Sequence, residues 1–359
     1  MKRILVVVAF LAFIYNESNA QGCVAIRSTG GFCTAGAMSH QNKVTPWVVG
    51  INNRYFKSYK HFVGTEEQEE RVKKGTEVIN HSYTLDVLVT RNINDRFSFT
   101  LDVPIISNAR SSLYEHDGKN RYSTHSFGLG DVRFTAYGWI IDPLKMPKGN
   151  LQVGVGLKLP TGDYKYQDFF IKSDSVKVLG PVDQSIQLGD GGTGFTTELN
   201  GFYSLTRTIT VYGNFFYLFN PREQNGTSTA RGGTPSASNI LYGSSTMSVP
   251  DQFMVRAGIS ATVQNFSLSV GVRDDCLPSE DLIGGSSGFR RPGYIVSVEP
   301  GMTYTMKKLN LYAYVPVALK RNRTQSYADK QRTEATGVYT HGDAAFADYV
   351  VNIGAAIRF

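Results

Sequence analysis

Period-two alternation of apolar and polar residues runs through most of this chain, and it limits the folds open to it. In 151–159 the odd positions are Leu151, Val153, Val155, Leu157 and Leu159, whereas Gln152, Gly154, Gly156 and Lys158 take the even ones. A strand with this period shows one row of side chains to an apolar phase and the other to water or polar groups. The pattern recurs cleanly in 97–105, 266–273 and 309–319. It is weaker in 47–59, 82–91, 131–140, 195–205, 208–219, 251–263, 293–304 and 347–359, which makes twelve predicted strands.

The connections between these strands alternate short and long. Short ones fall near Asn92–Arg96, Ile141–Asn150, Thr206-Arg207, Gln264-Asn265 and Lys307-Lys308. Long ones, rich in Gly, Ser, Asp and Pro, fall at about 60–81, 106–130, 160–194, 220–250, 274–292 and 321–346. An even number of strands with short turns at one end and long loops at the other is the pattern of a bacterial outer-membrane barrel. A soluble sandwich gives no reason for six long loops at one end. The 20 Tyr and 21 Phe agree, because many sit at predicted strand ends (Tyr59, Tyr83, Phe97, Tyr203, Phe266, Tyr304), where aromatic girdles meet headgroups. The expected fold class is therefore all-β: residues 47–359 form a single antiparallel transmembrane β-barrel of about 12 strands, with short periplasmic turns and long extracellular loops.

Export is written at the start of the chain. Lys2 and Arg3 precede an apolar run from Ile4 to Tyr15, and Ser18-Asn19-Ala20 offers small residues for cleavage after Ala20. The run is too short to span a bilayer as a helix, and no apolar stretch near 18 residues follows it. Residues 1–20 read as a signal peptide, and the expected location is the outer membrane of a Gram-negative cell. Residues 21–46 are polar and Gly-containing, and read either as a plug of the periplasmic mouth or as a loose periplasmic tail. Cys23 and Cys33 in this segment suggest a disulfide, as expected of an exported chain. The rival reading, lipidation of Cys23, lacks the usual Leu three residues earlier. Cys276 reads as a free thiol in an outer loop.

With the apolar rows assigned to lipid, Arg54, Asp86, Asp102, Arg133, Lys158, Glu198, Asn200, Asn214, Arg256, Arg273, Glu299, Asn352 and Arg358 point inward. Charges of both signs in one lumen support two readings. They line a polar channel or solute site, or they pair across a narrow barrel because an unpaired interior charge is costly. Twelve strands enclose more room than an eight-stranded barrel and less than a porin, so anything that passes should be small, or pass sideways.

The last strand carries Tyr349, Val351, Ile353, Ala355, Ile357 and Phe359 in one apolar row. It resembles the C-terminal signature that the barrel-insertion machinery recognises. Three further stretches, Gly128-Leu129-Gly130-Asp131, Leu159-Pro160-Thr161-Gly162-Asp163 and Leu188-Gly189-Asp190-Gly191-Gly192-Thr193-Gly194, stand in the order and spacing of one group. Over roughly 128–205 the chain resembles the outer-membrane family named for the meta-pathway of phenol degradation, akin in style to the long-chain fatty-acid channels. The resemblance implies a transporter of small, often apolar compounds. Read for themselves, the same stretches build turns and strand ends.

No enzyme signature accompanies the barrel pattern. The six His (His40, His61, His81, His116, His125, His341) lie mostly in predicted loops or at strand ends. His125-Ser126 makes no general-base pair by adjacency, and no phospholipase-like His-x-Ser-Asn-Gly occurs. No metal or cofactor motif is present: C-x-x-C, Walker, Rossmann and EF-hand patterns are absent. The formal net charge of +7, with Arg222, Arg231, Arg290, Arg291, Lys320, Arg321 and Arg323 in or near loops, suggests anionic lipopolysaccharide and outer-membrane lipid as partners rather than nucleic acid. The solute is unknown.

Overall fold

The computed structural model describes residues 45–359. The signal peptide, the Cys23–Cys33 pairing and nearly all of the 21–46 segment lie outside the described residues. Twelve antiparallel strands follow: β1 (Trp47–Val63), β2 (Ile79–Asn92), β3 (Phe97–Ser112), β4 in two pieces (Tyr122–Leu129 and Arg133–Trp139), β5 (Gly149–Lys158), β6 (Gly194–Ser204), β7 (Ile209–Phe219), β8 (Gln252–Val263), β9 (Phe266–Leu277), β10 (Gly293–Thr305), β11 in two pieces (Leu309–Tyr314 and Val317–Arg323) and β12 (Ala344–Arg358). Each pairs with its neighbours in sequence, and β12 returns to β1 with Val48 opposite Arg358 and Phe62 opposite Ala344. The sheet is thus a closed barrel, which leaves no free edge. No helix among the described residues is long and apolar enough to cross a membrane.

Prolines explain both breaks. Pro104 in β3 has no N–H to donate, and opposite it the β4 ladder is interrupted between the Leu129–Ile105 and Arg133–Asp102 pairs. Val315 and Pro316 interrupt β11 in the same way, and there the Pro316 carbonyl accepts from Val350 N at 3.0 Å. The expected long loop at 106–130 is consequently mostly strand, because β3 and the first piece of β4 continue as a hairpin beyond the break. That first piece has strand pairing to β3 alone, and the hairpin of Gln167–Ser173 and Val176–Pro181 stands beside it, with His125 N donating to Asp168 Oδ2 at 2.7 Å.

The rows separate as the period requires. Val255 is 43% exposed, while Arg256 beside it is 3% exposed. Phe97, Phe99, Leu101, Leu151, Val155, Phe266, Leu268, Val270 and Val272 likewise stand out from the barrel. Cys276 is a buried free thiol, but it lies in β9 rather than in a loop, because that strand runs four residues past the expected end.

Candidate functional site

The interior is built by the polar rows, and its lower part is densely joined. From β5 to β10 a continuous belt runs Gln152, Asn200, Asn214, Arg256, Glu299 and Arg273. Asn200 Nδ2 donates to Gln152 Oε1 at 3.3 Å, Asn214 Nδ2 to Asn200 Oδ1 at 2.8 Å, and Arg256 Nε to Asn214 Oδ1 at 2.9 Å. Glu299 then lies between two guanidiniums, 3.0 Å from Arg256 Nη1 and 3.3 Å from Arg273 Nη1, and Arg273 also grips Asp275 at 2.8 Å.

On the opposite wall Asn52 Nδ2 donates to Asp86 Oδ2 at 3.2 Å, Arg54 Nη2 to Thr84 Oγ1 at 3.4 Å, and Arg133 pairs with Asp102. Tyr137 Oη donates to Glu198 Oε2 at 2.8 Å, and Asn352 Nδ2 to the Tyr314 carbonyl at 3.4 Å. Inward tyrosines fill the space between these groups and lie against glycines. A Cβ at Gly258 would come within 2.5 Å of Tyr212 Oη, and one at Gly354 would overlap Tyr312. Glycine is needed there for close approach rather than for its backbone freedom.

Above this level the three glycine-rich stretches meet. Asp131, in the break of β4, accepts from Gly162 N at 3.0 Å through one oxygen and from Asp190 N at 3.1 Å through the other. Thr161 Oγ1 donates to the Gly130 carbonyl at 2.7 Å and accepts from Val132 N at 2.9 Å. Lys158 pairs with Asp190 and lies 3.8 Å from Asp131. Gly162 and Gly189 pass so close that a Cβ on the former would sit 2.6 Å from the Leu188 carbonyl oxygen. The junction draws the 159–193 loop into the barrel and buries Val182, Ile186 and Leu188.

Two other long loops come inward with it. Met247, Ser248 and Val249 are buried, as are Arg290 and Asp281, whose ion pair at 2.6 Å has both side chains 0% exposed. A single carboxylate ties these pieces together: Asp183 of the 159–193 loop lies 2.7 Å from Arg291, 3.4 Å from Arg231 and 3.5 Å from Arg110 of β3. Glu115 shares Arg110 at 2.8 Å and Arg231 at 2.9 Å. Burial alone would raise both carboxyls. The guanidiniums of Arg110, Arg291 and Arg231 nevertheless hold Asp183 well below the usual carboxylate range, and Arg110 and Arg231 lower Glu115.

Nothing in the local sequence of 160–194 or 274–292 marked these loops as a cap, since their partners are far apart in the chain. Arg290, Arg291 and Arg323, expected to face lipopolysaccharide, are instead turned inward and paired with Asp281, Asp183 and Asp329. Their desolvation is compensated by carboxylates, two of them only nine and six positions away and one, Asp183, 108 positions away.

Between cap and belt lies a cavity of ≈ 940 Å³ empty volume, part of it open to solvent. Its wall combines Pro104, Phe216, Leu218, Met247 and Leu277 with Arg133, Lys158, Gln184 and Arg291. Lys158 and Arg133 are thus brought to this cavity, whereas Arg256, Arg273 and Glu299 form the belt, Asp86, Asp102 and Arg54 the opposite wall, and Arg358 stands apart at the short-turn end. Among the described residues, no group of three or more His, Cys, Asp or Glu is placed to hold a metal ion.

A barrel closed through twelve strands, polar and paired within and apolar without, belongs to one architecture, and known structures agree. The COG4313 outer membrane channel from Pseudomonas putida F1 overlays with a TM-score of 0.58 over 89% of this chain and 97% of that one, at 13% identity. The fold is that of an outer-membrane β-barrel. The Ralstonia pickettii toluene transporter TbuX (TM-score 0.45, 9% identity, 96% of this chain and 99% of that one) and a Pseudomonas aeruginosa FadL homologue (0.41, 11%, 95% and 98%) overlap less well. No protein-family profile matches the chain, and no curated protein does.

Proposed function

We propose that this protein is an outer-membrane channel for passive uptake of small, apolar or amphipathic solutes. The observation that carries this reading is the cavity, whose wall combines Phe216, Leu218, Met247 and Leu277 with charged and amide groups, inside a barrel whose outer rows are apolar. A site of this composition desolvates an apolar body and keeps polar partners for a head group. The P. putida structure, itself an outer membrane channel, supports the reading at the level of fold. The lumen-facing charges act as wall rather than as catalytic groups, and no cofactor is required. The outer rows meet outer-membrane lipid, exposed Lys320 reaches toward lipopolysaccharide, and the row Tyr349, Val351, Ile353 and Phe359 serves insertion by the barrel machinery.

Reconstitution into planar bilayers tests the proposal, with discrete conductance steps as the expected result. A second reading, a non-conducting barrel whose loops bind a partner, is favoured by the belt from Gln152 to Arg273. Conductance indistinguishable from empty bilayers, with and without residues 21–46, would support that reading instead. Separation of membranes from periplasm checks the location, and recovery in the soluble fraction would remove both readings.

A further inference from the structure

Arg358 differs from the other buried arginines. Arg110, Arg256, Arg273, Arg290 and Arg323 each lie within 3.0 Å of a carboxylate. Arg54 shares the field of Asp86. Arg358 forms no ion pair with any described residue, although it is only 7% exposed and points inward between Ile357 and Phe359, which are 43% and 60% exposed. Its Nη2 donates to Asn310 Oδ1, and its buried Nη1 has no hydrogen-bond partner. The flanking positions across the ladder are Val48 and then Thr90, both uncharged, and Thr90 is engaged with Thr100. Lys308 lies alongside on the next strand, its carbonyl accepting from Arg358 N at 2.8 Å, and brings no counter-charge.

A guanidinium withdrawn from water without a counter-charge is expensive, and elsewhere this barrel avoids the cost by pairing. Asn310 holds one nitrogen and leaves another for a ligand, and the planar fork of an arginine suits a carboxylate. We infer that Arg358 is an anion-binding subsite at the short-turn mouth, built for the carboxylate head of a small amphipathic solute. The inference rests on the channel reading above and narrows its substrate class. Such a solute would pass the wall of the cavity near the cap first and meet its counter-charge only later, at the opposite end of the barrel.

Equilibrium dialysis of the folded, detergent-solubilised protein against benzoate and against benzamide, similar in size but neutral, tests this. Wild type should retain benzoate in preference to benzamide. Arg358→Gln should weaken benzoate about tenfold or more while leaving benzamide unchanged, and Arg358→Lys should restore part of the preference. Equal affinities in wild type, no saturable benzoate binding, or an unchanged preference in Arg358→Gln would overturn the inference. Heat-modifiable gel mobility reports folding, and losing an unpaired cation should leave it intact. Should the Gln variant fail to fold, the wild-type comparison and Arg358→Lys still decide. Conductance is measured without benzoate: channels lacking the preference sink the subsite alone, and a preference without channels sinks the channel reading alone.

Discussion

Glu299 is the most exacting residue of the interior because it neutralises two guanidiniums at once. Arg256 and Arg273 face each other directly across β8 and β9, so without Glu299 two like charges would be buried side by side. Removing Arg256 is less severe, since Glu299 keeps Arg273 at 3.3 Å. Glu299→Gln is therefore expected to destabilise by about 3–5 kcal/mol, the range for breaking a buried pair, and Arg256→Ala by less. Urea titration of the barrel in lipid vesicles checks the order; equal, negligible effects would mean that water reaches the belt. On the other face Val255→Arg should cost about 2–4 kcal/mol if it lies near the membrane midplane. A silent Val255→Arg would invert the assignment of faces.

The cap behaves as one element because its loops converge on Asp183. Asp183→Asn leaves Arg110 and Arg231 sharing Glu115 and removes the carboxylate that Arg291 meets at 2.7 Å, so all three loops should loosen together. Faster trypsin cleavage in 160–194 and in 278–292 is the expected result, with barrel stability little changed. Acid should act in the same way, and its sign follows from the shifts. Both Asp183 and Glu115 lie below their unfolded values, so their stabilisation is complete above the unfolded carboxylate range of about 4 and is lost as pH falls through the lower folded values. Cleavage should thus be flat with pH from about 5 to 8 and rise with an acid-active protease only below about 4; a rise near neutrality would contradict this assignment. The glycine-rich junction is equally specific. Gly162→Ala must push against the Leu188 backbone and should unseat the 159–193 loop, seen as slower folding in heat-modifiable mobility assays, whereas Gly118→Ala has open space beside its Cβ and strains the backbone alone.

At the scale of the whole molecule, the strand count, the two faces of each strand and the end bearing the long loops were legible in the sequence. Alternation is a local property: whether Val255 faces lipid and Arg256 the interior depends on the period of two and on neighbours one residue away. The same locality explains the misjudged ends. Nothing in 106–130 shows that Pro104 breaks the ladder while the hairpin continues beyond it, and nothing near Cys276 marks the extra residues of β9. The cap was out of reach altogether. Asp183 and Arg291 are 108 positions apart, and Asp131 and Gly162 are 31 apart. Each of these residues alone reads as an ordinary loop charge or turn glycine. Closure of the barrel brings their strands round to one mouth, and only there does burial make pairing obligatory. The sequence by itself determined a twelve-stranded wall, because a wall is set strand by strand by the solvent on each side. The tertiary structure decided how that wall is filled, because a charge such as Asp183 is stable in the interior only where distant partners have been carried to it, and to Arg358 it brought, among the described residues, an amide rather than a carboxylate.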